Sequence, residues 1–329
     1  MTTKLAIIIS DVHYSLHTLP LADNVMRQAL SKANDLNIPL IVAGDLHDTK
    51  ANLRAECIED MLNLFGQAFV PVYVLVGNHD LINEKSTTNA LEFLRGIVNL
   101  VKHPTYACGF HLLPYYSDTD LLKARLKTIP KGSTIIMHQG VKSANSGEYA
   151  HDKSAIEADL FDGYRVISGH YHARQDIKCG ETGLFSYVGN PFTLTFGEAN
   201  DPEKGFRILN SDGTLDFIPT NLRKHIIYDI DLSAITEVQK PDSEDLVWVK
   251  LTGTKEQLAK ITRRNLDTML GFTSYKLSTF PLDTETEAKV SVQATQSETL
   301  DEVIDLTYNV SEDQKTRLKA LWRSLNEKT

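Results

Sequence analysis

Lys4-Leu5-Ala6-Ile7-Ile8-Ile9-Ser10-Asp11-Val12-His13 is the stretch on which the reading of this chain turns. A short β-branched apolar run of this kind reads as a buried strand. It stops at a carboxylate and an imidazole. The same pattern recurs down the chain. Pro39-Leu-Ile-Val-Ala43 ends in Gly44-Asp45, and Val70 to Val76 ends in Gly77-Asn78-His79-Asp80. Thr134-Ile-Ile-Met137 leads to His138-Gln139-Gly140, and Arg165-Val-Ile-Ser168 leads to Gly169-His170-Tyr171-His172. Residues 21–36 and 52–65 carry apolar side chains at helical spacing between the first three strands. Alternation of strand and helix predicts an α/β (α+β) layered fold with parallel early strands. In such sheets ligands gather at the carboxyl ends of strands, where these motifs fall.

Beyond residue 96 the strands shorten, and the segments at 134–137, 165–168, 183–190, 205–209 and 214–218 read as antiparallel. The first domain is expected to span 1–222. A small α/β cap domain follows over 223–282, with strands near 226–230, 246–251 and 275–280. Thr254-Lys-Glu-Gln257 is a capping box that opens a helix expected to run on to a stop at Gly271. Residues 283–329 read as an acidic linker and C-terminal helices. One of these carries Leu318, Leu321, Trp322 and Leu325 as an apolar stripe, which either packs on the body or docks a partner.

Composition narrows the class. Charged residues at 23% and hydrophobic ones at 42% suit a globular protein of 329 residues. No apolar run reaches the ~18 residues of a transmembrane helix. The first residues lack a signal-peptide pattern, so a cytoplasmic protein without membrane attachment is expected, in the host cytoplasm if phage-encoded. Cys57, Cys108 and Cys179 have no CxxC spacing, which fits a reducing compartment and gives no cysteine metal site. The net charge of −9 argues mildly against non-specific nucleic-acid binding. The acid is uneven, however: Asp283 to Asp313 holds nine acidic residues and one basic one, Lys289.

The motifs bring together Asp11, His13, Asp45, Asn78, His138, His170 and His172, seven oxygen or nitrogen donors suited to divalent transition metals. Seven exceed the need of one four-coordinate ion. Alternate residues of an extended segment share a side, so Asp11 and His13 can share an ion, and so can His170 and His172. Asp45 is the best bridging carboxylate. The set divides into Asp11, His13, Asp45 and His172 for one metal, and Asp45, Asn78, His138 and His170 for the other. Two ions ~3.5–4 Å apart activate water and clamp a phosphate. His79 is left over as the general acid, with Asp80 expected to orient its other ring nitrogen.

Taken together, the five motifs resemble the calcineurin-like metallophosphoesterase superfamily, and Gly44-Asp45-Leu46-His47-Asp48, His138-Gln139-Gly140-Val141 and Tyr187-Val188-Gly189-Asn190-Pro191 through Phe196-Gly197-Glu198 are similar to its SbcD-type DNA nucleases, phage and bacterial. The motif match covers roughly residues 1–220, and beyond that only the layout is similar. The resemblance implies a two-layer β-sheet core with flanking helices and two Mn2+, with Mg2+, Fe2+ or Zn2+ as alternatives. It also implies 3′→5′ exonuclease and endonuclease action on DNA ends in recombination and repair. The implied partner is an SbcC-like coiled-coil ABC-type ATPase, and a homodimer is compatible with it. The chain departs from the family at His47, where an aromatic residue is common. It departs again at Asp48, where some members carry a His tied to duplex-end handling. The alternative reading is a nucleotide or cyclic-nucleotide phosphodiesterase that does not act on DNA.

Blander roles compete at the remaining positions. His103, His111, His151 and His225 read as structural or surface residues. Asp48, His47, His17, Arg263 and Arg264 are the candidate DNA contacts, although a plain loop role fits His47 better. Lys123, Lys127 and Lys131 read as a solvated helix face or a DNA-facing stripe.

Overall fold

In the computed structural model the described residues are 2–48, 53–83, 88–145, 152, 154–201, 203–234 and 238–282. The chain divides into two compact units, Met1–Pro281 and Leu282–Thr329. Beyond Leu282 the second unit, with the expected linker and C-terminal helices, lies outside the described residues.

The first unit begins with β1 (Lys4–Ile9), α1 (Leu19–Leu36), β2 (Leu40–Val42), α2 (Ala55–Phe65), β3 (Val72–Leu75) and β4 (Asn99–Val101). Then come β5 (Thr105–Ala107), β6 (Phe110–Leu113), α3 (Thr119–Leu126), β7 (Thr134–His138) and β8 (Arg165–Gly169). β9 (Gln175–Cys179), β10 (Gly183–Tyr187), β11 (Gly205–Asn210) and β12 (Leu215–Pro219) follow. They form two six-stranded sheets, ordered β12-β11-β1-β2-β3-β4 and β5-β6-β7-β8-β10-β9.

Side-chain alternation along β1 shows how the sheets are buried. Ile7 and Ile9 face Val25, Met26, Ala29, Met61 and Phe65 of α1 and α2. Ala6 and Ile8 face the other way and meet Ile136 and Ile167 of the second sheet. Leu122, Leu126, Phe161 and Tyr164 cover that sheet's outer side. The result is a helix–sheet–sheet–helix stack of mixed α/β class. Each fully buried Ile or Leu in it contributes about 1.5–3 kcal/mol.

The later strands differ from the antiparallel expectation. β7 pairs parallel with β6 and with β8, and β10 pairs parallel with β8. Antiparallel partners in this sheet are its edges, β5 and β9. β7, β8 and β10 are buried along most of their length. A strand covered on both faces shows no alternation, so its sequence says little about direction. In the first sheet β11 and β12 are antiparallel, as expected.

A third sheet contains β13 (His225–Asp231), β14 (Leu246–Thr254) and β15 (Lys276–Leu282). Val247, Val249 and Leu251 pack against Leu266 and Leu270. The capping box at Thr254 and Gln257 is formed. The single helix expected behind it is two, α4 (Lys255–Lys260) and α5 (Arg263–Leu270). Ile261 takes an extended backbone. The Thr262 hydroxyl then accepts from the Asn265 N–H at 3.2 Å and caps the second helix afresh.

Candidate metal centre

The strand ends of both sheets bring the seven predicted donors together. Asp11, His13 and His172 offer ligand atoms within 4.8 Å of one another, and so do Asp45, His138 and His170. Asn78 joins the second group: its Oδ1 lies 2.9 Å from His138 Nε2 and 2.9 Å from His170 Nδ1. His170 and His172 therefore belong to different groups, although they share a motif.

The local backbone differs from the extended segments expected. Asp11, His13, Asp45 and His170 have φ of 54°, 52°, 49° and 97°. Non-glycine residues rarely adopt this region, at a cost of order 1–3 kcal/mol each, and such residues gather at functional sites. Backbone bonds hold the loops in place: Asp11 N–H donates to Gly44 O at 3.2 Å and His13 N–H to Asp45 O at 3.1 Å. Gly77 is required by close approach, since a Cβ there would lie 2.2 Å from Asp45 Oδ1 and 2.3 Å from Asp45 N.

Three of the four imidazoles are gripped from behind. His138 Nδ1 donates to the Ala43 carbonyl at 2.8 Å. His170 Nε2 donates to Asp152 Oδ2 at 2.8 Å, and the Tyr171 hydroxyl donates to the same oxygen at 3.1 Å. His172 Nδ1 donates to Glu198 Oε1 at 2.7 Å. His13 Nδ1 lies 3.2 Å from Asp48 Oδ1, too oblique for a well-aligned hydrogen bond. A carbonyl or carboxylate can only accept, so it fixes the proton on the outer nitrogen and leaves a lone pair on the inner one.

The consequence is sharpest at the second group. His138 Nε2, His170 Nδ1, Asn78 Oδ1 and Asp45 Oδ2 all present lone pairs to one small space, with His138 Nε2 3.2 Å from Asp45. At the first, His172 Nε2 faces His13 Nε2 at 3.2 Å. Acceptors that converge in this way among the described residues call for a cation between them. With no metal, a proton takes that role. Burial pushes His138 down, but the Asp45 charge and hydrogen bond outweigh it and bring the imidazole up to about 9. Burial pushes Asp45 up, and His138, with His79 and His13, reverses this and holds the carboxyl far below its usual range. The mixed nitrogen and oxygen donor set fits manganese, iron or zinc. The His/Asp cluster is compatible with a dinuclear metal site.

His79 lines the pocket beside the first group. Its Nδ1 lies 2.9 Å from the Asp48 carbonyl oxygen. The expectation that Asp80 orients this ring is corrected: Asp80 is fully buried and accepts from the N–H groups of His47 at 2.9 Å and Gly77 at 2.8 Å. Burial and the Asp45 charge raise it to about 6. Asp80 instead ties together the two loops that carry Asp45 and Asn78.

The DNA-contact candidates separate. His47 is 1% exposed and cannot reach a ligand in solvent. Arg263 is occupied: Nε donates to Asp267 at 3.2 Å, Nη2 donates to Thr273 O at 2.7 Å, and the guanidinium stacks 3.7 Å from the Tyr275 ring centre. Arg264 is exposed. His17 and Asp48 line the same pocket as His79, about 480 Å³ in volume. Lys131 lies beyond α3, so the three lysines do not share a helix face.

Sequence reasoning missed Asp152 and the task of Glu198. Glu198 Oε2 also accepts from Asn190 Nδ2 at 2.8 Å and Leu194 N–H at 3.2 Å, with Lys204 Nζ 3.4 Å away. Its carboxyl falls to about 2: burial opposes this, and the His172 hydrogen bond and charge prevail.

A sequence profile described as calcineurin-like phosphoesterase matches residues 5–174. "Putative phosphoesterase 244L" of Invertebrate iridescent virus 6 is 25% identical over 264 residues, 73% of this chain and 87% of that protein. Exonuclease subunit 1 of Enterobacteria phage T4 is 26% identical over 219 residues, and the match spans 61% of either chain. A dimetal phosphatase from Danio rerio has a TM-score of 0.44 at 12% identity, covering 63% of this chain and 92% of its own. An archaeal phosphodiesterase has a TM-score of 0.36 at 16% identity, covering 66% and 99%.

Proposed function

Because the chain belongs to the calcineurin-like phosphoesterase family, we propose that it is a two-metal phosphodiesterase acting on DNA, the nuclease subunit of an SbcCD-type end-processing complex. The observation that carries the reading is the convergence of Asp45, Asn78, His138 and His170, whose outer contacts turn their lone pairs inward. Similarity to a phage exonuclease subunit supports a nuclease reading.

Asp11, His13 and His172 would hold one cation, Asn78, His138 and His170 the other, with Asp45 shared. When bound, the pair supplies an activated water and neutralises charge on the phosphate oxygens. The chain's own residues do the rest. Ala43, Asp152 and Glu198 fix the tautomers of the histidines they hold. Asp48 places His79 through its carbonyl, so that Nε2 can deliver a proton to the departing 3′ oxygen. Residues 223–282 would guide DNA toward the site, and 283–329 would dock a coiled-coil ATPase.

One observation favours the nucleotide phosphodiesterase reading: the pocket beside His79 and His172 has no Lys or Arg among its described lining residues. The test is hydrolysis of labelled single-stranded and duplex DNA against bis(p-nitrophenyl) phosphate, with manganese. Cleavage of DNA is expected. Turnover of the small diester alone would transfer the assignment to the nucleotide reading.

A further inference from the structure

Among the described residues the third sheet has one face packed on its own core and one face left partly exposed. Val247, Val249 and Leu251 of β14 point into its small core. Trp248 and Lys250 alternate with them and point the other way. Trp248 Nε1 donates to Ser278 Oγ at 3.0 Å, which puts Ser278 of β15 on the open face. By the same alternation Lys276 and Phe280 share that face. Lys250 Nζ and Lys276 Nζ sit 4.6 Å and 4.1 Å from the Trp248 ring centre. Phe280 is 48% exposed.

This face continues to the metal centre. The Phe196 ring meets Trp248 edge-on at 5.5 Å between centroids. Phe196 begins the short turn Phe196–Glu198, whose Gly197 and Glu198 line the pocket beside His79. The Trp248 and Phe196 rings therefore link the sheet to the turn that carries Glu198, the residue that holds His172.

We propose that the open face of the third sheet, centred on Trp248, receives an unpaired nucleic-acid strand and leads it to the metal centre. The proposal rests on the reading of the protein as a nuclease. Bases have π-faces that stack on exposed aromatic rings whatever their sequence. Phosphates need cations at the edge of such a platform, and Lys250 and Lys276 stand there in a chain whose net charge is −9. The two ammonium groups cover the indole until a base takes their place and they turn to the backbone. Asp229 and Asp231, opposite Lys250 and Thr252 in the register, are acids on this face and keep the attraction moderate. A duplex hides its base faces and would gain only the lysine contacts.

The test uses the full-length protein in EDTA, so that no strand is cut, and fluorescence anisotropy of a labelled oligothymidylate and a matched duplex. Trp248→Ala should weaken strand binding roughly 5- to 150-fold, the range for one stacked base. Trp248→Phe should restore most of it. Lys250→Gln with Lys276→Gln, both away from the sheet's core, should lower the salt slope by about 1.4, at ~0.7 per single-strand phosphate. Hydrolysis of bis(p-nitrophenyl) phosphate with manganese should be unchanged in all variants. If wild type binds and cuts the strand while Trp248→Ala and the double lysine variant bind within twofold of it, this surface is wrong and the nuclease reading stands. If wild type binds no strand yet turns over the small diester, both fall. A larger loss on the duplex than on the strand would also overturn the proposal.

Discussion

Glu198→Gln changes one atom of the chain and should disable one metal position. The carboxylate faces only donors: His172 Nδ1 at 2.7 Å on one oxygen, and Asn190 Nδ2 at 2.8 Å, the Leu194 N–H at 3.2 Å and Lys204 Nζ at 3.4 Å on the other. A glutamine has one oxygen to give. If it stays with Asn190, Leu194 and Lys204, the new NH2 group faces His172 and forces Nδ1 to accept. The ring proton then moves to Nε2, which lies 3.2 Å from His13 Nε2 and would hold the metal. If the amide turns round, three donors lose their acceptor at about 1–3 kcal/mol for each buried group left unpaired. Loss of such an outer contact typically costs 10- to 100-fold in metal affinity, or roughly 1.4–2.7 kcal/mol. Calorimetric titration of the metal-free protein with manganese should show one of two sites weakened by that factor. The other, at Asp45, Asn78, His138 and His170, should be unchanged. Affinities at both sites within twofold of wild type, in a variant with unchanged thermal unfolding, would refute the tautomer argument.

Other outcomes follow from the same geometry. His79→Ala should bind manganese as wild type does and lose about 10²- to 10⁴-fold in the cleavage rate of an unactivated phosphodiester, read by single-turnover kinetics. His138 must be neutral to bind a cation, yet without one its pKa lies at about 9. Apparent manganese affinity should therefore rise with pH from 6 toward 9, by up to tenfold per unit, with proton release in buffers of different ionisation enthalpy. Gly77→Ala would set a Cβ 2.2 Å from Asp45 Oδ1. It should cost roughly 1–3 kcal/mol of stability, read by chemical unfolding, and abolish diester hydrolysis.

What the sequence could reveal tracks how far each signal reaches. Asp11, Asp45 and Asn78 stand directly behind apolar strand runs, so local pattern exposed both the strands and the donors. Asp152 and Glu198 act on histidines 18 and 26 residues away. Nothing in their own neighbourhoods says which nitrogen they hold. Asp80 sits beside His79 in the chain, but its carboxylate turns inward to two backbone N–H groups, a direction set by how the loops cross. Asp48 acts on His79 through its carbonyl, which any residue would carry. The parallel run of β7, β8 and β10 was hidden for a different reason: each is buried on both faces and shows no alternation. The break at Ile261 lies inside one continuous apolar period, and only the Thr262 cap betrays it.

The most direct measurement is anomalous diffraction from crystals soaked in manganese. Two peaks are predicted, one among Asp11, His13 and His172, the other among Asp45, Asn78, His138 and His170, with Asp45 reaching both. A lone peak, or ions bound away from these side chains, would contradict the account.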